Sequence, residues 1–276
     1  MSSTRWCWPI MSVFCTIRSR PASATTVEAR MLLTNLSRLD LLRLLPQGGE
    51  AAEIGVAEGV FSRHILRDAQ PRRLHLIDPW EHQARDDYQT DRYGNVAAQE
   101  QESRFQQVSA AFAAETASGQ VELIRAYSSD AAPRFSPGQL DWVYLDGLHS
   151  EAGVAADLRD YAPKVKPDGF LLGHDYTNHQ PARQSGFGVV EAVNAFCERE
   201  GWHFLLLTME NFPTYVLVRD RQTVAAQTLV ANVLFHGAWT VELGDYPRGW
   251  QYQHNAVVVA GKTVVYPTLT PTAART

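Results

Sequence analysis

The chain has 276 residues and a mass of 30.8 kDa, which suits one large domain with additions. Hydrophobic residues make up 45% of it and charged residues 20%, which excludes a mostly disordered chain. The net charge of -5 disfavours a protein that binds nucleic acid by neutralising phosphates. Three scattered cysteines form neither a metal-ligand spacing nor a disulfide framework. This cysteine usage predicts a protein of the reducing cytoplasm. We expect no membrane contact, because no apolar run is long enough to span a bilayer.

The two ends of the chain differ from its middle. Residues 1–30 are rich in Arg and Ser and poor in acids, and we expect a poorly ordered leader there. The main domain is predicted over residues 31–220, and its leucine-rich start predicts a helix over residues 29–45. Residues 221–276 form a C-terminal extension with a predicted helix at 225–235 and a hairpin around Gly261. An exposed hairpin of this kind could serve subunit contacts in a homo-oligomer.

Strands and helices alternate between these two ends. The predicted strands cover residues 51–56, 74–77, 121–125, 140–145, 170–173, 202–208 and 215–219. Helical patterns follow the first, second, fourth and fifth of these strands, which is typical of βαβ units and a parallel sheet. No helix separates the last two strands, so these two should be antiparallel. In such α/β sheets, ligands bind beyond the carboxyl ends of the strands.

The loop after the first strand of this series carries an acid and two glycines. Glycine lets the backbone approach a ligand closely, and the spacing here is Gly55-x-x-x-Gly59. The dinucleotide fingerprint G-x-G-x-x-G is therefore absent, which disfavours a nicotinamide oxidoreductase. Glu53 can accept hydrogen bonds from an amino ligand. Asp78, at the end of the next strand, is placed to bind both hydroxyls of a ribose, and together these residues favour an adenosine-type ligand.

Five segments resemble the class I S-adenosylmethionine-dependent methyltransferases, and most of all the macrocin and macrolide-sugar O-methyltransferases of methyltransferase family 24. They are EIGVAEGVFS, LIDPWE, DWVYLDGLHSEAGVAADL, KPDGFLLGHDY and VVEAVNAF, and the resemblance covers roughly residues 50–220. It implies a Rossmann-like α/β fold with a seven-stranded, mostly parallel sheet, its last strand antiparallel and helices on both faces. It also implies that Glu53, Gly55 and Gly59 line the methionine part of the cofactor, that Asp78 holds the ribose, and that Ser128 and Ser129 lie beside the adenine.

A second group of polar residues follows the fourth and fifth strands of the series. Asp146 follows one strand, and His174 and Asp175 follow the other, so their side chains can converge. Two carboxylates suit Mg²⁺, whereas a His ligand leaves Mn²⁺ or Fe²⁺ open. His149 lies on the loop above this spot, and a neutral His can act as the general base. Asp157 and Asp160, on the following helix, are interpreted as a solvated face.

These patterns predict a metal-assisted O-methyltransferase that acts on a small hydroxylated molecule, such as a sugar or a natural product. The ion would lower the pKa of the acceptor hydroxyl, and His149 would take its proton. Two alternatives stay open. One is a metal-independent methyltransferase on another small acceptor, and the other is a non-catalytic protein of the same fold that binds the cofactor.

Overall fold

The computed structural model describes residues 30–85, 88, 94–236 and 239–272. Within them, the strands are β1 (Arg30–Thr34), β2 (Glu50–Ile54), β3 (Arg73–Asp78), β4 (Val121–Arg125), β5 (Leu140–Leu145), β6 (Val165–Gly173), β7 (His203–Thr208), β8 (Tyr215–Val218), β9 (Thr240–Gly244), β10 (Trp250–Val259) and β11 (Lys262–Pro271). The α-helices are α1 (Arg38–Leu44), α2 (Val60–His64), α3 (Ala98–Ala111), α4 (Ala113–Ala117), α5 (Ser128–Ala131), α6 (Glu151–Tyr161), α7 (Gln180–Gln184), α8 (Val189–Glu200) and α9 (Val224–Phe235).

The strands β1 to β9 form one sheet in the order β4-β3-β2-β5-β6-β8-β7-β1-β9. The five strands from β4 to β6 in this order pair in parallel. Strand β8 is antiparallel to both of its neighbours, β6 and β7, because a short connection rather than a helix joins β7 to β8. The predicted antiparallel arrangement of the last core strand is confirmed.

Helices cover both faces of the sheet. Along β5, Trp142 and Tyr144 point into one buried apolar cluster, whereas Val143 and Leu145 point into the other. The first cluster also holds buried residues of α1, α2 and α9, and the second holds those of α6 and α8. Strands buried on both faces need near-continuous apolar sequence, and the apolar stretch of β5 therefore lies in the sheet interior. The predicted α/β class with helices on both faces is confirmed.

The predicted seven-stranded sheet and the predicted helix over residues 29–45 are both wrong in detail. The sheet has nine strands, since β1 and β9 extend it beyond β7. Residues Met31–Leu33 are buried in the strand β1, and α1 begins only after Ser37. Ser37 and Asp40 form a capping box, in which each side chain bonds the backbone N–H of the other residue. A short apolar run fits a buried strand as well as a helix, and the Ser-x-x-Asp signal marks the true helix start.

The C-terminal residues add to the core of the molecule. Helix α9 buries Leu229 and Val233 in the same cluster as α1, and β9 pairs with β1. Strands β10 and β11 form a separate hairpin that is longer than predicted, with Tyr252 buried and the valines near its tip exposed.

The domain boundary near residue 220 and the subunit contact through the hairpin stay predictions. The predicted leader lies outside the described residues, except for Arg30. In the described part of the chain, no helix is both long and apolar enough to cross a membrane.

Candidate functional site

A cavity of about 1560 Å³ opens at the carboxyl ends of the central parallel strands. Its wall includes every residue predicted for the site except Gly59. The strand ends are held side by side: the Asp146 N–H donates to the Ile54 carbonyl (2.8 Å), and the His174 N–H donates to the Leu145 carbonyl (3.0 Å). These bonds extend the β2–β5–β6 ladder by one residue. The side chains that follow β2, β5 and β6 therefore share one wall.

Asp78 holds the loop that follows β2. Its carboxylate accepts hydrogen bonds from the backbone N–H groups of Val56 (2.9 Å), Ala57 (3.0 Å) and Trp80 (2.7 Å). The Trp80 indole also donates to the Ala57 carbonyl at 2.9 Å, so the loop is tied to β3 at two points. Burial raises the pKa of Asp78 despite the three N–H donors. A carboxylate has about four acceptor positions, which leaves room for a ligand hydroxyl as well.

Glu53 is the most deeply buried acid of the cavity wall, with 1% of its surface exposed. The Ser62 hydroxyl donates to its Oε2 at 2.6 Å. Burial raises the pKa of Glu53 to about 8, so the group is mostly neutral at pH 7 in the free protein. A cationic ligand group would favour its charged form.

The two loop glycines meet different needs. Gly55 has φ +87°, and a Cβ there would lie 2.0 Å from the backbone oxygen of Asp146. Glycine is therefore required for the close approach of two loops within the protein, besides any approach of a ligand. Gly59 has φ +69°, and a Cβ there would touch Phe112 and Val108 at 3.0 and 3.3 Å. Gly59 thus packs against α3 and does not line the cavity.

Ser128 and Ser129 begin the short helix α5 after β4, and both line the cavity. Asp157 of α6 reaches the Ser128 side chain with a hydrogen bond, and only 7% of its surface is exposed. The interpretation of Asp157 as part of a solvated face is therefore wrong. Burial raises the pKa of this carboxyl to about 6. The sequence pattern missed it because burial of Asp157 follows from the packing of α6 against α5 and α8, which are distant in the sequence.

Asp146, His149 and Asp175 converge at the opposite end of the wall. Their ligand-type atoms lie within 4.8 Å of one another. His149 Nε2 is 2.8 Å from Asp175 Oδ2 and 3.6 Å from Asp146 Oδ1. This nitrogen is buried and has no well-directed hydrogen-bond partner. Two carboxylates around one buried imidazole nitrogen are a donor set that fits a divalent cation.

His174 lies beside this group and is not part of it. Its Nδ1 is 3.3 Å from Asp175 Oδ1 and 3.8 Å from Asp146 Oδ1. Burial alone would raise the pKa of Asp175, but the charges of His149 and His174 hold it well below its usual range. Burial likewise opposes protonation of His149, yet the two carboxylates raise its pKa well above the ordinary value. In the free protein, the positive charges of the imidazoles thus compensate the negative charges of the carboxylates.

Arg38, the first residue of α1, also reaches the site. Its Nη1 donates to Asp146 Oδ2 at 3.2 Å, and its guanidinium lies over the Phe61 ring at 4.6 Å. The sequence does not indicate that Arg38 reaches the site, because 108 positions separate it from Asp146. The capping box at Ser37 indicates the helix start, but no local pattern indicates that the sheet brings this start to β5.

A family model described as a methyltransferase domain, of methyltransferase family 24, matches residues 52–176. This segment runs from β2 to the residue after Asp175 and contains the predicted site. No curated protein matches the sequence significantly.

Solved structures resemble the chain at low identity. One is a protein from Corynebacterium glutamicum, with 15% identity over 67% of this chain and 80% of that one, and a TM-score of 0.46. Another is an O-methyltransferase family protein from Burkholderia thailandensis, with 14% identity, a TM-score of 0.45, and 67% and 56% of the two chains covered. A third is the N-methyltransferase NodS from Bradyrhizobium japonicum WM9, with 12% identity, a TM-score of 0.45, and 64% and 91% covered. The chain thus spans little more than half of the Burkholderia protein.

The family match and the arrangement of the strands agree with the resemblance carried by the five sequence segments. Residues 52–176, which are 125 of the 276 residues, match a methyltransferase domain, and this segment therefore resembles an S-adenosylmethionine-dependent methyltransferase domain.

Proposed function

We propose that this chain transfers the methyl group of S-adenosylmethionine to a hydroxyl of a small acceptor, assisted by a divalent cation. The observation that carries the proposal is the convergence of Asp146, His149 and Asp175 in the cavity that also holds Glu53 and Asp78. A methyl donor and a cation site on one wall are what metal-assisted O-methylation requires. The acceptor hydroxyl must lose its proton near neutral pH, and a cation in contact with its oxygen lowers its pKa.

The cofactor side of the cavity supports binding of an adenosyl ligand. Asp78 has an acceptor position left for a ribose hydroxyl, and Glu53 can pair with the ammonium of the methionine part. Ser128 and Ser129 would lie beside the adenine, as the family resemblance implies. Positioning of the sulfonium against the acceptor oxygen supplies much of the rate acceleration in such an in-line transfer.

The cavity wall also bears on the acceptor class. The acids that line it are Glu53, Glu58, Asp78, Glu81, Asp146, Asp157 and Asp175. These acids outnumber the cationic groups of the wall, which are Arg38, Arg85, His149 and His174. The acidic excess disfavours a nucleic acid and favours a neutral hydroxylated molecule, such as a sugar or a natural product. This is the acceptor class of the macrocin and macrolide-sugar group, to which we assign the chain as a hypothesis.

The two histidines have competing roles. The same nitrogen cannot both ligate a cation and accept the acceptor's proton, and His149 Nε2 is the one that faces both carboxylates. This geometry favours an exchange of the roles predicted from the sequence: His149 joins Asp146 and Asp175 as a ligand, and His174 is the base. Both imidazoles must first lose the proton that the neighbouring carboxylates stabilise. An imidazole among the ligands suits Mn²⁺ or Fe²⁺ as well as Mg²⁺.

Two variants test this assignment. His149→Ala should weaken Mn²⁺ binding about tenfold or more, as measured by electron paramagnetic resonance of the free ion. His174→Ala should keep the Mn²⁺ affinity but lower kcat about 10²-fold or more in methyl transfer from labelled cofactor to hydroxylated acceptors. The opposite pattern would restore the roles predicted from the sequence. Cofactor binding without turnover on any acceptor would favour a non-catalytic binding protein.

A further inference from the structure

The guanidinium of Arg38 lies between the two halves of the proposed site. It bonds Asp146 Oδ2 through Nη1 at 3.2 Å, while the other carboxylate oxygen, Oδ1, faces His149 and His174. Arg38 lines the same cavity as Glu53 and is close enough to interact electrostatically with it. One cation thus adjoins both a proposed metal ligand and the acid predicted to lie at the methionine end of the cofactor.

This cation contrasts with its surroundings. Acidic residues dominate the cavity wall, and the other arginine described there, Arg85, lies on the segment after β3, with its guanidinium over the Tyr88 ring. The cofactor carries an α-carboxylate at its methionine end, and a buried carboxylate needs a cationic partner. Arg38 is the described cation placed beside Glu53 to supply it.

The donors of Arg38 allow such a partner. A guanidinium has five N–H donors, and the contact with Asp146 is a single Nη1–Oδ2 bond. The face of the group rests on the Phe61 ring and a further hydrogen bond joins it to Tyr144, so the group is held in place while N–H donors remain for a ligand. A carboxylate that engages this edge in a bidentate pair would draw the guanidinium away from a single-bonded Asp146.

We propose that Arg38 couples cofactor binding to metal binding. In the free protein, its guanidinium occupies Asp146 Oδ2 and repels a cation from the ligand group. When the cofactor carboxylate takes the guanidinium as its partner, Asp146 is released and the positive charge beside the metal site is neutralised. Cofactor binding then strengthens metal binding, and by linkage metal binding strengthens cofactor binding by the same factor. The inference rests on the proposed metal-assisted function.

The test compares two ligands that differ in the carboxylate. S-adenosylhomocysteine carries the amino-acid part without the sulfonium charge, whereas 5′-methylthioadenosine lacks that part. Mn²⁺ affinity of the full chain is measured by electron paramagnetic resonance alone and with each ligand at saturation. We expect S-adenosylhomocysteine to lower the Mn²⁺ Kd about tenfold, a common size for coupling between sites, and methylthioadenosine to leave it unchanged.

Variants on α1 assign the coupling to one side chain. In Arg38→Met, Mn²⁺ should bind more tightly than in the wild type without ligand, and S-adenosylhomocysteine should no longer change its Kd. The variant should bind S-adenosylhomocysteine more weakly but methylthioadenosine as before. Arg38→Lys keeps the charge and should retain part of the coupling. Arg43→Met is the matched control, because Arg43 lies on the same helix and pairs with Asp68 outside the cavity.

The outcomes separate this inference from the function on which it rests. Binding of both Mn²⁺ and S-adenosylhomocysteine without coupling in the wild type would overturn the role of Arg38 alone. Full coupling in Arg38→Met would also overturn it. Failure of Mn²⁺ to bind with or without the ligand would overturn the proposed metal function and this inference together.

Discussion

Replacing Gly55 tests whether the loop after β2 and the end of β5 must touch for the site to form. Gly55→Ala places a methyl group 2.0 Å from the Asp146 backbone oxygen at φ +87°. The left-handed backbone alone costs a side chain about 1–2 kcal/mol, and overpacking adds about 1–3 kcal/mol. The expected loss of unfolding free energy is therefore about 2–5 kcal/mol. Because the displaced atom belongs to Asp146, Mn²⁺ affinity should fall as well.

Gly201→Ala is the control for this substitution. Gly201 follows α8 with φ +70°, and a Cβ there meets no atom within 4 Å, so only the strain of about 1–2 kcal/mol applies. Urea unfolding gives the difference between the two variants, expected at about 1–3 kcal/mol. Equal stability of the two variants, with Mn²⁺ affinity unchanged in both, would refute the close approach as the reason for glycine.

Three other predictions concern the cofactor side of the cavity. Burial raises the pKa of Asp157 to about 6, so the folded state holds its proton more tightly and loses stability as the pH rises from about 4 to about 6. Asp157→Asn should remove most of this loss, about 3 kcal/mol, in urea unfolding at pH 7; an unchanged pH profile would contradict it. Glu53 is mostly neutral at pH 7, so binding of S-adenosylhomocysteine should release a proton. Calorimetry in buffers of different ionisation enthalpy measures this proton release. Glu53→Gln should abolish it. Trp80→Phe loses the hydrogen bond from the indole to Ala57. It should lower the free energy of unfolding by about 0.5–1.5 kcal/mol and weaken S-adenosylhomocysteine binding. Unchanged affinity would show that this bond does not hold the loop for the ligand.

Sequence patterns succeeded where one local rule decides the structure. The alternation of apolar strands with helices predicted the parallel core from β2 to β6, and the short link between β7 and β8 predicted their antiparallel pairing. The rule that ligands bind at strand carboxyl ends brought Asp78, Asp146 and Asp175 to one cavity. These inferences needed only periodicity and position along the chain.

The features that the sequence did not predict correctly depend on packing between residues far apart in the chain. Residues 30–34 have the apolar content of a helix or a buried strand, and only their pairing with β7 and β9 decides for the strand. Asp157 lies on a helix whose environment depends on α5 and the sheet, and Arg38 meets Asp146 through tertiary structure alone. Neighbouring residues in the sequence do not indicate such contacts.

The metal dependence of methyl transfer tests whether a divalent cation assists the reaction. The full chain is assayed with labelled S-adenosylmethionine and a panel of sugar and natural-product alcohols, first as prepared, then with EDTA, and then with Mg²⁺ or Mn²⁺ added in excess. We expect EDTA to abolish methyl transfer to the hydroxyl and added metal to restore it. Full transfer in the presence of EDTA would contradict a role for Asp146, His149 and Asp175 as ligands of a catalytic cation.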